Sequence, residues 1–163
     1  MKYIEIKKND VANGPGVRVS LWTAGCSHHC KGCFNSETWD FNGGQEFTDA
    51  QIQEIKDLLT DAPVEKHFSL LGGDPLEKVN HDMLKKLLIE LKKDFPTLNI
   101  WCWTGYLWED IKDFDFMKYI DVVVDGEFQE QNKNLKLQFR GSSNQRIIQV
   151  QKSLEQNQIV LWN

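Results

Sequence analysis

Three cysteines that come shortly after a strand-like segment impose the strictest local requirement on how this chain can fold. Cys26, Cys30 and Cys33 are spaced Cys-x₃-Cys-x₂-Cys in one glycine-bearing loop. This spacing can bring three thiols to one place, and three thiolates leave one position of a four-ligand metal site open. A cubane iron–sulfur cluster held in this way keeps one iron free for a further ligand. The pattern therefore favours chemistry at the metal over simple electron relay.

Two other uses of these cysteines have to be weighed. A disulfide would need an oxidising compartment, and the first ten residues carry no secretory signal pattern. A structural zinc would need a fourth ligand, such as Cys102, His28 or His29, but structural zinc sites usually combine two short ligand pairs. A zinc-stabilised binding module therefore remains the alternative from another class. We expect Cys102 to be a core thiol, and both histidines to be solvated loop residues.

The bulk composition predicts one globular domain over residues 1–163. Hydrophobic residues make up 40% and charged residues 26% of the chain, which is ordinary for a protein with a real core. The formal net charge of −5 and the scattered basic residues argue against nucleic acid as a partner. No apolar stretch is long enough to cross a bilayer. We therefore expect no membrane partner, and four cysteines without a secretory signal pattern favour a reducing cytoplasm.

Strand and helix patterns alternate along the chain. Strands are predicted at 3–6, 17–23, 67–71, 99–104 and 120–124, and more weakly at 146–150 and 158–162. Helices are predicted after Thr48 and Asn80, with a short one around Leu107. A βαβ series of this kind predicts parallel strands whose carboxyl ends share one functional edge. Because a closed eight-stranded barrel needs about 250 residues, we expect the α/β class and an incomplete, open parallel β/α barrel.

A glycine-rich turn follows the strand at 67–71. Its residues are Gly72, Gly73, Asp74 and Pro75. Glycines allow close approach of backbone to a ligand, and the carboxylate is an acceptor suited to an ammonium group. A tight structural turn would use the same residue types. The position of the turn at the same predicted edge as the cysteines favours a role in the site.

Together these segments resemble the radical S-adenosylmethionine superfamily. The cysteine motif followed by Phe34, with the glycine turn at a later strand end, carries that resemblance. Further segments are similar to the activating proteins of anaerobic ribonucleoside-triphosphate reductases: Asn13–Arg18, Gly32–Asn35 with Trp39, Trp103–Tyr106, Val124–Gly126 and Arg140–Gln145. The matched core covers about residues 9–148 and leaves a C-terminal extension of about 151–163. The expected fold is then an open barrel of the radical SAM type.

The resemblance implies the cofactors and their contacts. Cys26, Cys30 and Cys33 would hold a [4Fe–4S] cluster whose open iron binds the amino and carboxylate groups of S-adenosyl-L-methionine. One electron from the reduced cluster would release methionine and a 5′-deoxyadenosyl radical, so no acid–base pair of the protein is needed. The implied contacts with S-adenosylmethionine come from two loops: Gly32, Cys33, Phe34, Gly72, Gly73 and Asp74.

The resemblance also implies the partners. The radical would remove a hydrogen from a glycine Cα in the large, glycyl-radical subunit of the reductase, and a low-potential donor such as flavodoxin would supply the electron. An activase of another glycyl-radical enzyme, of the pyruvate formate-lyase type, is the nearest alternative. The sequence leaves the roles of three features open. Arg18 could pair with a carboxylate of a neighbour or of the cofactor. Asp125 could reach the pocket, although a strand-end turn is favoured, and Arg140–Gln145 could form a turn or contact the cofactor or the reductase.

Overall fold

The computed structural model describes residues 1–61 and 63–162, which form one seven-stranded mixed sheet. The strands are β1 Lys2–Asp10, β2 Val17–Thr23, β3 Gln45–Glu46, β4 Lys66–Gly72, β5 Ile100–Trp103, β6 Val122–Asp125 and β7 Arg146–Gln149. The helices are α1 Asp49–Thr60, α2 His81–Asp94, α3 Trp108–Ile111 and α4 Val150–Gln156. Within the described residues, no helix is both long and apolar enough to cross a membrane.

The four central strands, β2, β4, β5 and β6, are parallel, as the alternating pattern predicted. Helix α1 lies between β2 and β4 in the chain, and α2 lies between β4 and β5. The side chain of Thr48 accepts a hydrogen bond at the start of α1 and forms a capping box with Gln51, so this helix start was predicted correctly. The carboxyl ends of the central strands therefore lie at one edge of the sheet.

The expectation of an incomplete, open parallel β/α barrel is wrong. The strand order is β3-β1-β2-β4-β5-β6-β7, with β1, β3 and β7 antiparallel to their neighbours and no pairing between the two outer strands. A connection as short as residues 11–16 can return the chain only as an antiparallel neighbour, since a parallel strand needs a long crossover. Residues 126–145 contain no helix beyond one 3₁₀ turn, so β7 also reaches β6 without a helical crossover.

The two faces of the sheet bury different residues. In β5, Ile100 and Cys102 face the helices, whereas Trp101 and Trp103 point to the opposite side. Cys102 is fully buried, which confirms its prediction as a core thiol. The helix-side core is completed by the apolar faces of α1 and α2, chiefly Ile52, Ile55, Leu59, Leu84, Leu87, Leu88 and Leu91.

The C-terminal segment packs on the face opposite the helices. The Trp162 ring lies edge-on to Trp101, with centroids 5.1 Å apart, and also contacts Phe139. The Trp162 N–H donates to Ile147 O at 2.8 Å, but residues 158–162 form only an isolated bridge with β7, between Leu161 and Ile148, instead of the predicted strand. The intervening α4 was not predicted, because its sequence is mostly polar. The last residue of the predicted extension, Asn163, lies outside the described residues.

Candidate metal and cofactor site

The cysteine loop begins at the carboxyl end of β2 and is held by backbone hydrogen bonds. The N–H of Gly25 donates to Thr38 O at 2.8 Å, and the N–H of Cys26 donates to Trp39 O at 3.2 Å. Further along, the N–H of Cys33 donates to Cys30 O at 3.1 Å. These bonds fold the loop back on itself, so that three cysteines separated in sequence can face the same space.

Gly72, the last residue of β4, and the following Gly73 allow that strand end to touch the cysteine loop. Gly73 N–H donates to Thr23 O, and the next N–H, of Asp74, donates to Gly25 O, both at 2.8 Å. A Cβ atom at Gly73 would lie 2.3 Å from Gly25 O, and Gly72 has a φ of +115°. Since neither position accepts a side chain without displacement, the glycines serve the close packing of two strand ends as well as lining the cavity described below.

The Asp74 carboxylate connects this turn to the end of β5. The side chain is 1% exposed and accepts hydrogen bonds from Thr104 Oγ1 at 2.8 Å and from the N–H of Gly105 at 2.8 Å. It also accepts one from the N–H of Leu76 at 2.9 Å. Two residues of the Thr-Gly-Tyr motif singled out in the sequence, Thr104 and Gly105, therefore donate to Asp74, whereas the Tyr106 hydroxyl donates to Glu77. A ligand ammonium group would share this carboxylate with donors of the protein.

His28 is a well-packed residue of this region, contrary to the prediction that it is solvated. Its Nε2 lies 3.0 Å from Asp74 Oδ2, although the two atoms are not aligned for a regular hydrogen bond, and its Nδ1 lies 3.0 Å from Glu127 Oε1. Asp74 and then Glu127 raise the pKa of His28 to about 9, although burial opposes this shift. The ring stacks edge-on against Tyr106 at 4.5 Å. The neighbouring His29 is exposed, as predicted.

The side chain of Glu77 is hydrogen-bonded to the cysteine loop. Its buried carboxylate accepts two hydrogen bonds of 2.6 Å from Ser27, one from the N–H and one from the hydroxyl. Tyr106 Oη donates to the other carboxylate oxygen at 3.2 Å. Ser27 directly follows Cys26, so this carboxylate fixes the backbone beside the first thiol. The sequence analysis missed Glu77, although it lies only three residues after Asp74.

A cavity of about 350 Å³ opens beside these contacts, and His28, Thr104 and Gly105 are among the residues that line it. The predicted site residues that line it are Cys26, Cys30, Cys33, Phe34, Gly72, Gly73 and Asp74. Phe34 is 82% exposed. The remaining predicted residue, Gly32, belongs to the same loop but does not line the cavity, and its Cβ direction points at Glu130. Trp103, Phe139 and Arg140 line the cavity as well.

The thiols are chemically suited to hold a cluster. All three are free cysteines, and burial raises the pKa of Cys26 to about 11 and that of Cys30 above its usual range. Metal binding would displace their protons, because thiolate is the form that coordinates. Across residues 1–61 and 63–162, no three His, Cys, Asp or Glu side chains are gathered around a point that could hold one metal ion. A cubane takes each thiolate at a different iron, so thiols distributed around a cavity fit it.

Asp125 and the Arg140–Gln145 segment lie near the same edge of the sheet. Asp125 is the last residue of β6 rather than part of the expected turn, and it is fully buried and accepts hydrogen bonds from Trp108 N–H and from Arg146. Gln145 Oε1 accepts the N–H of Gly141 at 2.9 Å, and its Nε2 donates to Gly126 O at 3.0 Å. The segment is therefore an ordered turn bound to the loop after β6.

Comparison with known proteins defines the class and then the family. A family profile described as a 4Fe-4S single cluster domain matches residues 12–148. The activating protein of anaerobic ribonucleoside-triphosphate reductase from Enterobacteria phage T4 is 42% identical over 147 residues, covering 90% of this chain and 93% of the relative. Proteins of the same name from Haemophilus influenzae and Escherichia coli K12 are 37% and 39% identical, each covering 89% of this chain and 96% of the relative. The chain belongs to this family of reductase-activating enzymes.

Proposed function

We propose that this chain generates a glycyl radical on the large subunit of an anaerobic ribonucleoside-triphosphate reductase, with a [4Fe–4S] cluster and S-adenosylmethionine as cofactors. The observation that carries the proposal is the cavity, which three free cysteines and the Gly72–Asp74 turn line together. Membership of a family named for reductase activation supports the choice of partner. Bound together, the two cofactors supply one-electron cleavage of a sulfonium, which is the source of the organic radical.

The residues of the chain bind and orient these groups. Cys26, Cys30 and Cys33 would hold the cluster through their three thiolates. The backbone oxygens of the Gly72–Asp74 turn accept from the amino group of S-adenosylmethionine, and the Asp74 carboxylate adds its negative charge. Phe34, which is largely exposed, offers an aromatic face to the adenine.

The surroundings of the cavity suit a protein substrate. Phe34 lines the cavity and yet is 82% exposed, so part of the wall is accessible from solvent. A glycine on a loop of the reductase can reach such a site, whereas a closed pocket would admit only a small molecule. A low-potential donor such as flavodoxin supplies the electron, and a reducing cytoplasm is the compartment that keeps the thiols free.

The decisive experiment is anoxic. The protein is reconstituted with iron and sulfide, reduced with dithionite and supplied with S-adenosylmethionine, and 5′-deoxyadenosine is quantified with and without the reductase. Cys30→Ala should abolish product, whereas the matched Cys102→Ala, which removes a thiol from the core, should retain it. Wild-type protein that carries a full cluster and yields no product with the reductase present would refute the proposal. One zinc and no sulfide in the protein as isolated would favour the zinc-stabilised module.

The identity of the partner is tested separately. The loaded protein is mixed with the reductase large subunit or with pyruvate formate-lyase, and the glycyl radical is recorded by electron paramagnetic resonance. We expect the radical on the reductase only. A signal on pyruvate formate-lyase alone would instead support the other type of activase.

A further inference from the structure

Arg140 differs from the other arginines of the chain, Arg18 and Arg146, in how few of its donors are used. The Arg146 side chain pairs with Asp125 and with Glu109, with one terminal nitrogen 2.8 Å from a Glu109 oxygen. A guanidinium carries five N–H donors and no acceptor, so carboxylate partners of this kind are its usual environment.

The N–H donors of Arg18 are used in hydrogen bonds to hydroxyl, carbonyl and amide oxygens rather than to carboxylates. The side chain is fully buried, and its Nε donates to Ser69 Oγ at 2.6 Å. Its terminal nitrogens donate to Phe68 O at 2.7 Å, to Pro15 O at 2.9 Å and to Asn99 O at 3.0 Å. Burial lowers its pKa to about 10. This arginine therefore joins two strands to the turn before β2, and the expected pairing with a carboxylate does not occur.

The backbone around Arg140 is held in place on both sides. Phe139 adopts a φ of +57°, which is unfavourable for a phenylalanine, and its carbonyl accepts a 2.7 Å hydrogen bond from Trp103 Nε1. On the other side, the N–H of Gly141 donates to Gln145 Oε1. Strained residues that are held firmly concentrate at ligand sites, and this one directly precedes a side chain that lines the cavity.

Few N–H donors of the Arg140 side chain have a hydrogen-bond partner. Within the described residues, its recorded hydrogen bond runs from Nη1 to Gln145 O at 2.7 Å, and no carboxylate lies within ion-pair distance. Its Nε is buried and has no partner in that part of the chain. A buried N–H donor without a partner is unfavourable, because it has lost its hydrogen bond to water and gained none in the protein. A planar acceptor arriving in the cavity would remove that cost.

We propose that Arg140 binds the carboxylate of a ligand that occupies the cavity. A carboxylate presents two oxygens that match the guanidinium fork, and the cavity supplies no such group of its own near Arg140. Two ligands of the proposed function, on which this inference rests, carry one: the amino-acid portion of S-adenosylmethionine and an acidic side chain beside the glycine of the reductase. The chemistry is the same in either case, and binding measurements separate the two sources.

The test measures binding rather than turnover. S-adenosylmethionine is titrated calorimetrically, without oxygen, into cluster-loaded wild type, Arg140→Gln, Arg140→Lys and Lys136→Ala. Binding of the reductase large subunit to the same proteins is followed by fluorescence anisotropy. Lys136→Ala is the matched control, because it removes an exposed positive charge from the same segment. Iron and sulfide contents and the melting temperature are recorded for every variant.

The expected result is a loss of affinity in one titration only. Arg140→Gln should weaken binding of one ligand at least about tenfold and leave the other unchanged, because only one of them supplies the carboxylate. Arg140→Lys should recover part of the loss, and Lys136→Ala should bind both ligands like wild type. Wild-type affinity of Arg140→Gln for both ligands would overturn the inference, as would a drop in iron content or melting temperature in Arg140→Lys, which would make Arg140 a structural residue. Failure of the wild type to bind S-adenosylmethionine would instead refute the proposed function.

Discussion

Glu77 and Ser27 are joined by two hydrogen bonds of 2.6 Å to the same carboxylate oxygen, directly beside the first cysteine of the loop. A neutral amide in place of the carboxylate would make weaker bonds, because charge-assisted hydrogen bonds are about twice as strong as neutral ones. The cysteine loop therefore depends on a residue outside it.

Glu77→Gln should destabilise the protein by about 1.5–3 kcal/mol, the range for hydrogen bonds to a buried charged group. It should also lower the iron retained after reconstitution, because Ser27 adjoins Cys26. Urea unfolding and iron analysis measure the two effects. Tyr106→Phe, which removes only the 3.2 Å bond to Glu77, is the control and should retain iron. Full iron loading of Glu77→Gln would contradict a role for Glu77 in holding the loop.

Asp74→Asn should cost about 3–5 kcal/mol of unfolding free energy, because it removes one member of a buried charged network and leaves His28 without its buried carboxylate neighbour. Thr104→Val removes a neutral hydroxyl that donates to Asp74 and accepts from the N–H of Tyr106, so about 1–3 kcal/mol is expected for it. Denaturant titration of both variants gives the comparison. Equal losses would show that the charge of Asp74 contributes little.

Gly73→Ala tests the contact between the two strand ends. The new Cβ would lie 2.3 Å from Gly25 O, so the cysteine loop has to move, and overpacking of this kind costs about 1–3 kcal/mol. The control is Gly126→Ala, where the nearest atom is 3.7 Å away and only the φ of +92° opposes a side chain. We expect Gly73→Ala to lose iron binding and Gly126→Ala to retain it. Iron retention by both would argue against the contact.

We expect protonation of His67 to lower the free energy of unfolding in mild acid. Burial and then the nearby Arg18 lower its pKa, although Glu65 and Asp121 act in the opposite direction. A histidine with a lowered folded-state pKa contributes stability above its unfolded value of about 6.5, and that contribution is lost as the pH falls through the folded value. The free energy of unfolding should therefore fall with pH below about 6.5, and it should fall less steeply in His67→Gln. Parallel pH profiles for the two proteins would contradict this.

Sequence patterns predicted helices and strands correctly where the residues that form the pattern also stabilise the element. The segment 17–23 was predicted as a strand with the bounds that β2 has, because its apolar residues are buried between β1 and β4. The capping box of Thr48 and Gln51 marked the start of α1. The cysteine motif and the glycine turn pointed to one edge, and the structure places both around one cavity.

Long-range packing could not be predicted in the same way. The antiparallel pairing of β7 depends on the path of residues 126–145, which has no periodic signal. Asn80 precedes α2 as predicted, but its side chain does not cap the helix, and its Nδ2 donates to the distant Asp74 O instead. His28 was expected in solvent, whereas the carboxylates of Asp74 and Glu127, both distant in sequence, enclose it.

The backbone contact of Gly73 with the start of the cysteine loop has a consequence for protein engineering. The conformation of the loop is not determined by its own residues alone, because the first of them are hydrogen-bonded to the end of a different strand. A cysteine motif transplanted alone into another scaffold would lose these hydrogen bonds. The smallest portable unit comprises two adjacent parallel strands with their ends, and a designed binder of the same metal group would have to reproduce the pair.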